Sequence, residues 1–367
     1  MKSSPSEHYV SHEARLARYA SVSTALSLQS DARLRDQLKE AMILGTGIGG
    51  TTALLHLQED TSIFVKIIPI SELEKRTENF MSTKNLFELP TYCHYGIGSP
   101  GGGIWREVAS HTMTTNWVLA KKCSSFPLMY HWRVLNGFKR PGMISEELSD
   151  VSRMVEFWDS ETMRTRIESL ENSTDSVVLF FEYVPHNLHD WLTKQVAIGE
   201  NTADKALTMV ESKLRSAVSF MNANGLLHFD THFRNILTDG HRLYLSDFGL
   251  ATSSRFELTD NELAFFEWNK AHDGCYVVME LVNWIVAVFC RKTNRSERLD
   301  FILKCAEGTM SPDIMESAAM MIKRYAPIAV VMNDFYSKLL SDSRETPFPL
   351  EEIDRISTLV GFEPLRS

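Results

Sequence analysis

Between residues 226 and 237 the chain reads LLHFDTHFRNIL. An apolar run gives way to His228, Asp230, His232 and Asn235, and then resumes. Short apolar runs bounded by polar residues read as strands, so the polar group falls in the loop between two of them. Taken alone the loop has two readings, because aspartate and asparagine also close ordinary turns. Downstream, RLYLSDFGLA brings Asp247-Phe248-Gly249 after a further strand. Two carboxylates and one amide are all oxygen donors, which suit Mg2+ shared with substrate phosphates. One carboxylate of such a pair can orient or deprotonate a hydroxyl while the other holds metal. His228 then braces the loop.

Two upstream features narrow the choice. Gly45-Thr-Gly47-Ile-Gly-Gly50 fits G-x-G-x-x-G. A dinucleotide-binding fold would set that pattern between a strand and a helix, with an acidic residue about 20 positions on. Here the glycines precede a hairpin of Ala53–Leu57 and Ile63–Ile68, turning at Glu59-Asp60. That context favours a flap over phosphates, since residues without Cβ let backbone N–H groups approach the oxygens. An ordinary hairpin is the alternative. Lys66 follows in IFVKIIP, among apolar residues. On an internal strand it needs anionic partners, because an unpaired buried charge is costly; on a solvent-facing edge it needs none.

A glycine flap, a strand lysine, H-x-D-x-x-x-x-N and D-F-G, in this order, resemble the protein-kinase-like superfamily, which includes eukaryotic-type protein kinases and aminoglycoside and choline phosphotransferases. The resemblance covers about residues 43 to 290, with its specific motifs at 45–66, 181–184 and 228–249. It implies an α+β, bilobal fold: a small antiparallel β-rich N-lobe and a larger, mainly helical C-lobe. It also implies ATP and Mg2+ as cofactors. Lys66 would hold the α- and β-phosphates, Asp230 would be the catalytic base, and Asn235 with Asp247 would bind Mg2+. FFEYV would be the hinge, with the Glu182 carbonyl and Val184 N–H meeting the adenine edge, Phe181 as gatekeeper, and Leu44 and Leu237 either side of the ring. Phe64 stands where protein kinases usually have a small alanine. For the helix glutamate that meets Lys66, Glu72, Glu74, Glu78 and Glu88 are nearer in sequence. Glu107 is preferred, because WREVASHTMTTNWV opens a well-formed helix after a strand-like stretch; a solvated first-turn glutamate is the alternative.

The organisation expected is an N-terminal helical extension (1–42), an N-lobe (43–184) with a helical insertion at about 108–175, and a C-lobe (185–367). Residues 11–41 show helical spacing, 86–98 look like a strand, and 99–103 (SPGGG) a flexible turn. Ser145 or Ser149 is available to cap the helix that follows. Residues 176–185 read as a strand, 187–197 and 203–223 as helices, and the chain beyond residue 256 as helical to about 340.

Three departures bear on the acceptor. His232 stands where protein serine/threonine kinases usually have lysine and aminoglycoside-type enzymes often have histidine. No A-P-E-like motif follows D-F-G. FPLMYHWRVL (126–135) offers aromatic and cationic groups to cap a small substrate, with core packing an equal alternative. The expectation is therefore transfer of the ATP γ-phosphoryl group to a hydroxyl of a small molecule, with His232 touching that phosphate or the acceptor. A serine/threonine protein kinase with a reduced activation segment is the first rival, and a nucleotide-binding pseudokinase the second. The acidic stretch 256–273 would suit a cationic acceptor such as an amino sugar; a solvated helix face is the simpler reading.

Composition excludes some classes. A net charge of −9 argues against nucleic-acid partners, which need a basic excess. Five scattered cysteines without a C-x-x-C suggest neither a disulfide framework nor a zinc site. The apolar run Tyr276–Cys290 carries Glu280 and Asn283 and is too short to span a bilayer. A cytosolic chain without a membrane partner is expected; the sequence sets no oligomeric state.

Overall fold

The computed structural model describes residues 10–57, 61–96, 98–139 and 148–360. The expected turn at Glu59-Asp60 and the cap at Ser145 lie outside them. The chain divides into two compact units, one of residues 1–185 with 246–261, the other of 186–245 with 262–367.

The first unit opens with α1 (His12–Ser27) and α2 (Asp31–Glu40), two helices where one was expected, because Ser30 caps a new start by accepting from the Arg33 N–H. There follows a five-stranded antiparallel sheet of β1 (Met42–Gly47), β2 (Gly50–His56), β3 (Ser62–Ile70), β4 (Met129–Leu135) and β5 (Asp175–Glu182), in the order β1-β2-β3-β5-β4. Side chains alternate along a strand. Ile63, Val65 and Ile67 therefore share one face of β3, and Phe64, Lys66 and Ile68 the other. The second face packs on α4 (Ile104–Leu119) through Ile68, Ile70, Leu179 and Phe181 against Ile104, Trp105 and Val108. Each such side chain contributes about 1.5–3 kcal/mol when fully buried. Helix propensities differ by less than about 1 kcal/mol per residue. Packing thus outweighs the threonine-rich, poorly helical sequence of α4. Against β4, Tyr19 of α1 lies 6.1 Å from Tyr130, and Ser27 bonds His131.

Two expectations differ here. The described residues of 86–98 form no strand. The Asn85 side chain donates to the Leu89 carbonyl and accepts from its N–H, closing a loop, and a 3-10 turn Thr91–Tyr95 follows Pro90. The apolar residues that suggested a strand, Phe87, Leu89 and Cys93, instead pack on α5 (Val151–Trp158) and α6 (Glu161–Glu171). Nor is 108–175 one helical insertion: α4 fills its start, and FPLMYHWRVL runs into β4 as a sheet strand. Phe126, Leu128, Met129, Tyr130 and Leu135 are buried there, so this stretch is core. Asp150, rather than Ser149, caps α5. Ahead of α4, a short helix, α3 (Glu72–Lys75), directly follows β3.

The second unit is mainly helical: α7 (Leu188–Ile198), α8 (Glu200–Ala223), most of α9 (Asp260–Trp268), α10 (His272–Val288), α11 (Arg295–Ala306), α12 (Glu316–Ser341) and α13 (Leu350–Val360). The α10 helix is buried along most of its length, as its apolar run requires, and packs on α8, α11 and α12. A small antiparallel sheet of His186–Asn187, Ile236–Thr238 and Leu243–Leu245 carries the loop from which the sequence argument began. Among the described residues no helix is long and apolar enough to cross a membrane. The architecture is α+β, with the five-stranded sheet in the first unit and a mainly helical second unit that carries the small sheet.

Candidate active site

The first unit gathers two carboxylates around a buried lysine. Because β3 alternates, Lys66 points to the α4 face. The pairing of β3 with β5 sets Lys66 opposite Leu179 and Phe64 opposite Phe181. Lys66 Nζ lies 2.7 Å from Glu107 Oε1 and 2.8 Å from Asp247 Oδ1. Glu107 is thus the glutamate that meets the lysine; of the nearer ones, Glu74 is buried elsewhere. Burial opposes the lysine charge, but the Asp247 and Glu107 carboxylates outweigh it, and the ammonium stays protonated beyond the ordinary lysine range. Burial pushes the Glu107 carboxyl up, against the pull of Lys66.

Asp247 reaches the lysine because Phe248 is anchored. Phe248 is fully buried, with its ring 5.1 Å from that of His111, one turn along α4 from Glu107, and 6.3 Å from Phe126. Asp247 itself has φ 64°, a left-handed conformation tolerated by aspartate, and its side chain remains 45% exposed. The segment after it is held by the stretch read as a flexible turn. The Gly102 N–H donates to the Gly249 carbonyl at 3.2 Å, and a Cβ on Gly101 would stand 2.7 Å from that oxygen. His94 Nδ1 lies 2.7 Å from the Leu250 carbonyl, which only accepts, so Nδ1 carries the proton.

The glycine hairpin covers the lysine. A Cβ on Gly49 would stand 3.0 Å from Lys66 Nζ, and one on Gly50 (φ 113°) 2.4 Å from the Ile67 carbonyl. Gly45 and Gly47 have nothing within 4 Å of such a Cβ. Leu44 is exposed, as is all of β1. At the end of β5 and just beyond it Phe181, Glu182 and Val184 are buried, with the Phe64 ring 6.3 Å from Phe181. The Glu182 carboxylate turns away from Lys66's face to Arg15 of α1, which donates Nε to Oε1 at 2.8 Å and Nη2 to Oε2 at 2.7 Å. Arg15 also donates to the Ser124 and Phe126 carbonyls. A residue far up the chain thereby braces the end of β5.

In the second unit the loop is organised by a buried carboxylate that sequence reading missed. Asp273 of α10 accepts the His228 N–H at 2.7 Å and the Phe229 N–H at 2.8 Å. Burial opposes its charge, but His272 and those donors hold the carboxyl below the usual range. Phe229 takes φ 65°, which reverses the chain and presents Asp230. His228 Nδ1 accepts from the Asp230 N–H. Asn235 donates its amide to the Asp230 carboxylate at 2.8 Å and carbonyl at 3.1 Å. With that nitrogen committed, the amide oxygen is the atom a cation would take. His232 Nδ1 accepts from the Arg234 and Asn235 N–H groups, which leaves the proton on Nε2, 3.7 Å from Asp230 Oδ1. Leu237 lies in the small sheet, paired with Asn187 and Tyr244. The acidic stretch 256–273 does not form one face, since Glu262 and Asp273 are buried.

Comparison with known proteins agrees with these motifs. Residues 146–268 match the protein kinase domain model. The chain is similar to the phosphorylase b kinase gamma catalytic chain, liver/testis isoform, of human and of mouse, at 36% identity over 88 residues. That alignment covers 24% of this chain and 21% of the relative, so the chain spans about a fifth of the length of these curated relatives. A probable serine/threonine-protein kinase of Dictyostelium discoideum is 31% identical over 97 residues, 26% of this chain and 18% of that protein. In its motifs and over the matched stretch the chain is similar to the protein-kinase-like superfamily.

Proposed function

We propose that the chain is an ATP-dependent phosphotransferase acting on a hydroxyl, and that its acceptor is a small molecule. The observation that carries the activity is Lys66 held between Glu107 and Asp247 under a glycine hairpin. A buried ammonium fixed by two carboxylates is preorganised to meet phosphate oxygens without rearrangement. The Gly45, Gly47 and Gly50 backbone would lie over the phosphates. The Glu182 carbonyl and Val184 N–H would read the adenine edge, and Leu237 would contact the ring.

Asp230, steered by the Asn235 amide, would orient the acceptor hydroxyl and take its proton. His232, with its proton on Nε2, is a donor beside that carboxylate and would steady the transferring group. The Asn235 oxygen and Asp247 carboxylate are hard donors that fit Mg2+. When bound, the cation would neutralise charge on the β- and γ-oxygens. Catalysis on this account is positioning and electrostatics.

The small-molecule reading is supported by His232 and by the short chain after Gly249. Ala251, Thr252 and Ser253 are buried, and helix α9 begins at Asp260, which leaves little surface for a protein substrate. The names of the relatives favour the second reading, a serine/threonine protein kinase. A nucleotide-consumption screen across sugars, amino alcohols, antibiotics and nucleosides, with a basic protein alongside, separates the two. Acceptor-dependent ADP release with a small alcohol is expected; transfer to the protein alone would replace the small-molecule reading.

A further inference from the structure

The helix that carries Glu107 does not cap itself. Gly103, at its N-cap position, has no side chain to accept from the first-turn N–H groups, which need partners when buried. The acceptor comes from α3, thirty residues earlier. Glu74 Oε1 accepts the Ile104 N–H at 3.0 Å, and the Glu74 carbonyl accepts the Trp105 indole N–H at 2.8 Å. A Cβ on Gly103 would stand 3.3 Å from Glu74 Oε1, so glycine permits the close approach.

The other oxygen of Glu74 is equally committed. Oε2 accepts from the Ser71 N–H at 3.1 Å, from the Ser71 hydroxyl at 2.6 Å and from Arg166 Nη1 at 2.9 Å. Arg166 belongs to α6, and its guanidinium stacks on Phe87 at 4.7 Å from the ring centre. Glu74 and Arg166 are 1% and 3% exposed. Burial opposes the Glu74 charge, yet Arg166 and the donors hold its carboxyl below the usual range.

We propose that Glu74 is a positioning residue for Lys66: clamped by Arg166, it fixes the first turn of α4, and so places Glu107 against the lysine. The proposal rests on the phosphotransferase reading for its consequence, but its geometry lies wholly in the first unit. Glu107 is three residues beyond Ile104, about 4.5 Å along a helix rising 1.5 Å per residue. A shift of the first turn is therefore passed directly to the 2.7 Å contact with Lys66. The two segments flanking α4 in sequence, 71–103 and 148–174, then act as one clamp that holds the lysine pair formed without a second protein or a modification.

The test uses the full chain and two readouts. Glu74→Gln keeps an acceptor for Ile104 but leaves Arg166 buried without its anion. Acylation of Lys66 by an amine-reactive reagent, followed by peptide mass spectrometry, is expected to accelerate about tenfold. Amide exchange in peptide 104–111 should rise at least as much, while peptide 175–182 of β5 stays protected. The double variant Glu74→Gln/Arg166→Met, which removes the orphaned charge, should recover most of the protection. If Glu74→Gln does not fold, Arg166→Met alone carries the same expectation. Equal Lys66 reactivity in variant and wild type, or exchange rising equally in both peptides, would overturn the proposal. Neither readout needs turnover, so failure of the phosphotransferase reading would show separately, as wild-type protein that consumes no ATP.

Discussion

The surroundings of Lys66 and of Asp230 are built in opposite ways. Around Asp230 the chain supports itself locally. Asn235, five residues on, and His228, two residues back, bond it directly, while Asp273 reaches in from α10 to bond the loop backbone. Around Lys66 almost every support is distant: Glu107 lies 41 residues away and Asp247 181, while the Arg15–Glu182 brace spans 167. The difference teaches that a loop motif can carry its own geometry, whereas a buried lysine depends on how several remote segments are assembled. Damage to remote partners should therefore disturb the nucleotide side far more than the loop.

The largest expected effect follows from the Arg15–Glu182 brace. Arg15→Ala leaves the Glu182 carboxylate buried without its cation and orphans the Ser124 and Phe126 carbonyls. Breaking a buried pair on one side costs about 3–5 kcal/mol. Thermal or denaturant unfolding should show a loss of that order, and peptide 175–182 should lose exchange protection before the 226–238 region does. Loss in the loop first would break the comparison.

Asp273 tests a remote support of the loop. Asp273→Asn replaces an acceptor of two backbone N–H groups with an amide, and removal of a buried acceptor costs about 1–3 kcal/mol. Its folded carboxyl titrates below the unfolded one. The stability it contributes is therefore complete above the ordinary aspartate value, about 3.9, and is lost as pH falls below that toward the lowered folded value. The gap between wild type and variant in urea titrations should be full at pH 7 and narrow below pH about 4. A gap that does not change with pH would assign the effect to shape rather than charge.

The glycines give the smallest and sharpest contrast. Gly50→Ala must place a Cβ 2.4 Å from the Ile67 carbonyl at a positive φ, and should cost about 1–3 kcal/mol. Gly45→Ala meets nothing within 4 Å and should leave stability within about 0.5 kcal/mol, while weakening ATP binding measured by calorimetry. If Gly45→Ala melts lower than Gly50→Ala, the hairpin is not arranged as described.

The same contrast explains what the sequence made legible. The hairpin, the helix of Glu107 and the buried helix that contains Tyr276 follow from periodicity and apolar runs, because each shows its buried face in its own stretch of sequence. The 86–98 stretch misled because its apolar residues are buried by α5 and α6 rather than by strand pairing, and a side-chain loop at Asn85 has no periodic signature. FPLMYHWRVL carried strand alternation, but its aromatic and cationic residues invited a binding role that burial in β4 removes. Arg15 and Asp273 left no signal of their roles, and Glu74 only the S-x-x-E spacing of a capping box with Ser71, which says nothing of Ile104 or Arg166. Each is one charged residue in an ordinary helix, and its partner becomes visible only when the chain is folded. SPGGG did carry a signal, since two of its glycines permit close approach to Gly249 and Glu74, but composition alone reads as flexibility.

The most direct test of the account combines binding and turnover in one variant. Asp230→Asn keeps an oxygen for the Asn235 amide to bond, and removes the carboxylate proposed as the base. With Mg2+ and an acceptor found by screening, wild-type protein should release ADP, and the variant should bind ATP equally well while its turnover falls by about 10²–10⁴-fold. Turnover in Asp230→Asn at the wild-type rate, or wild-type protein that binds ATP and consumes it with no acceptor of any class, would contradict the account.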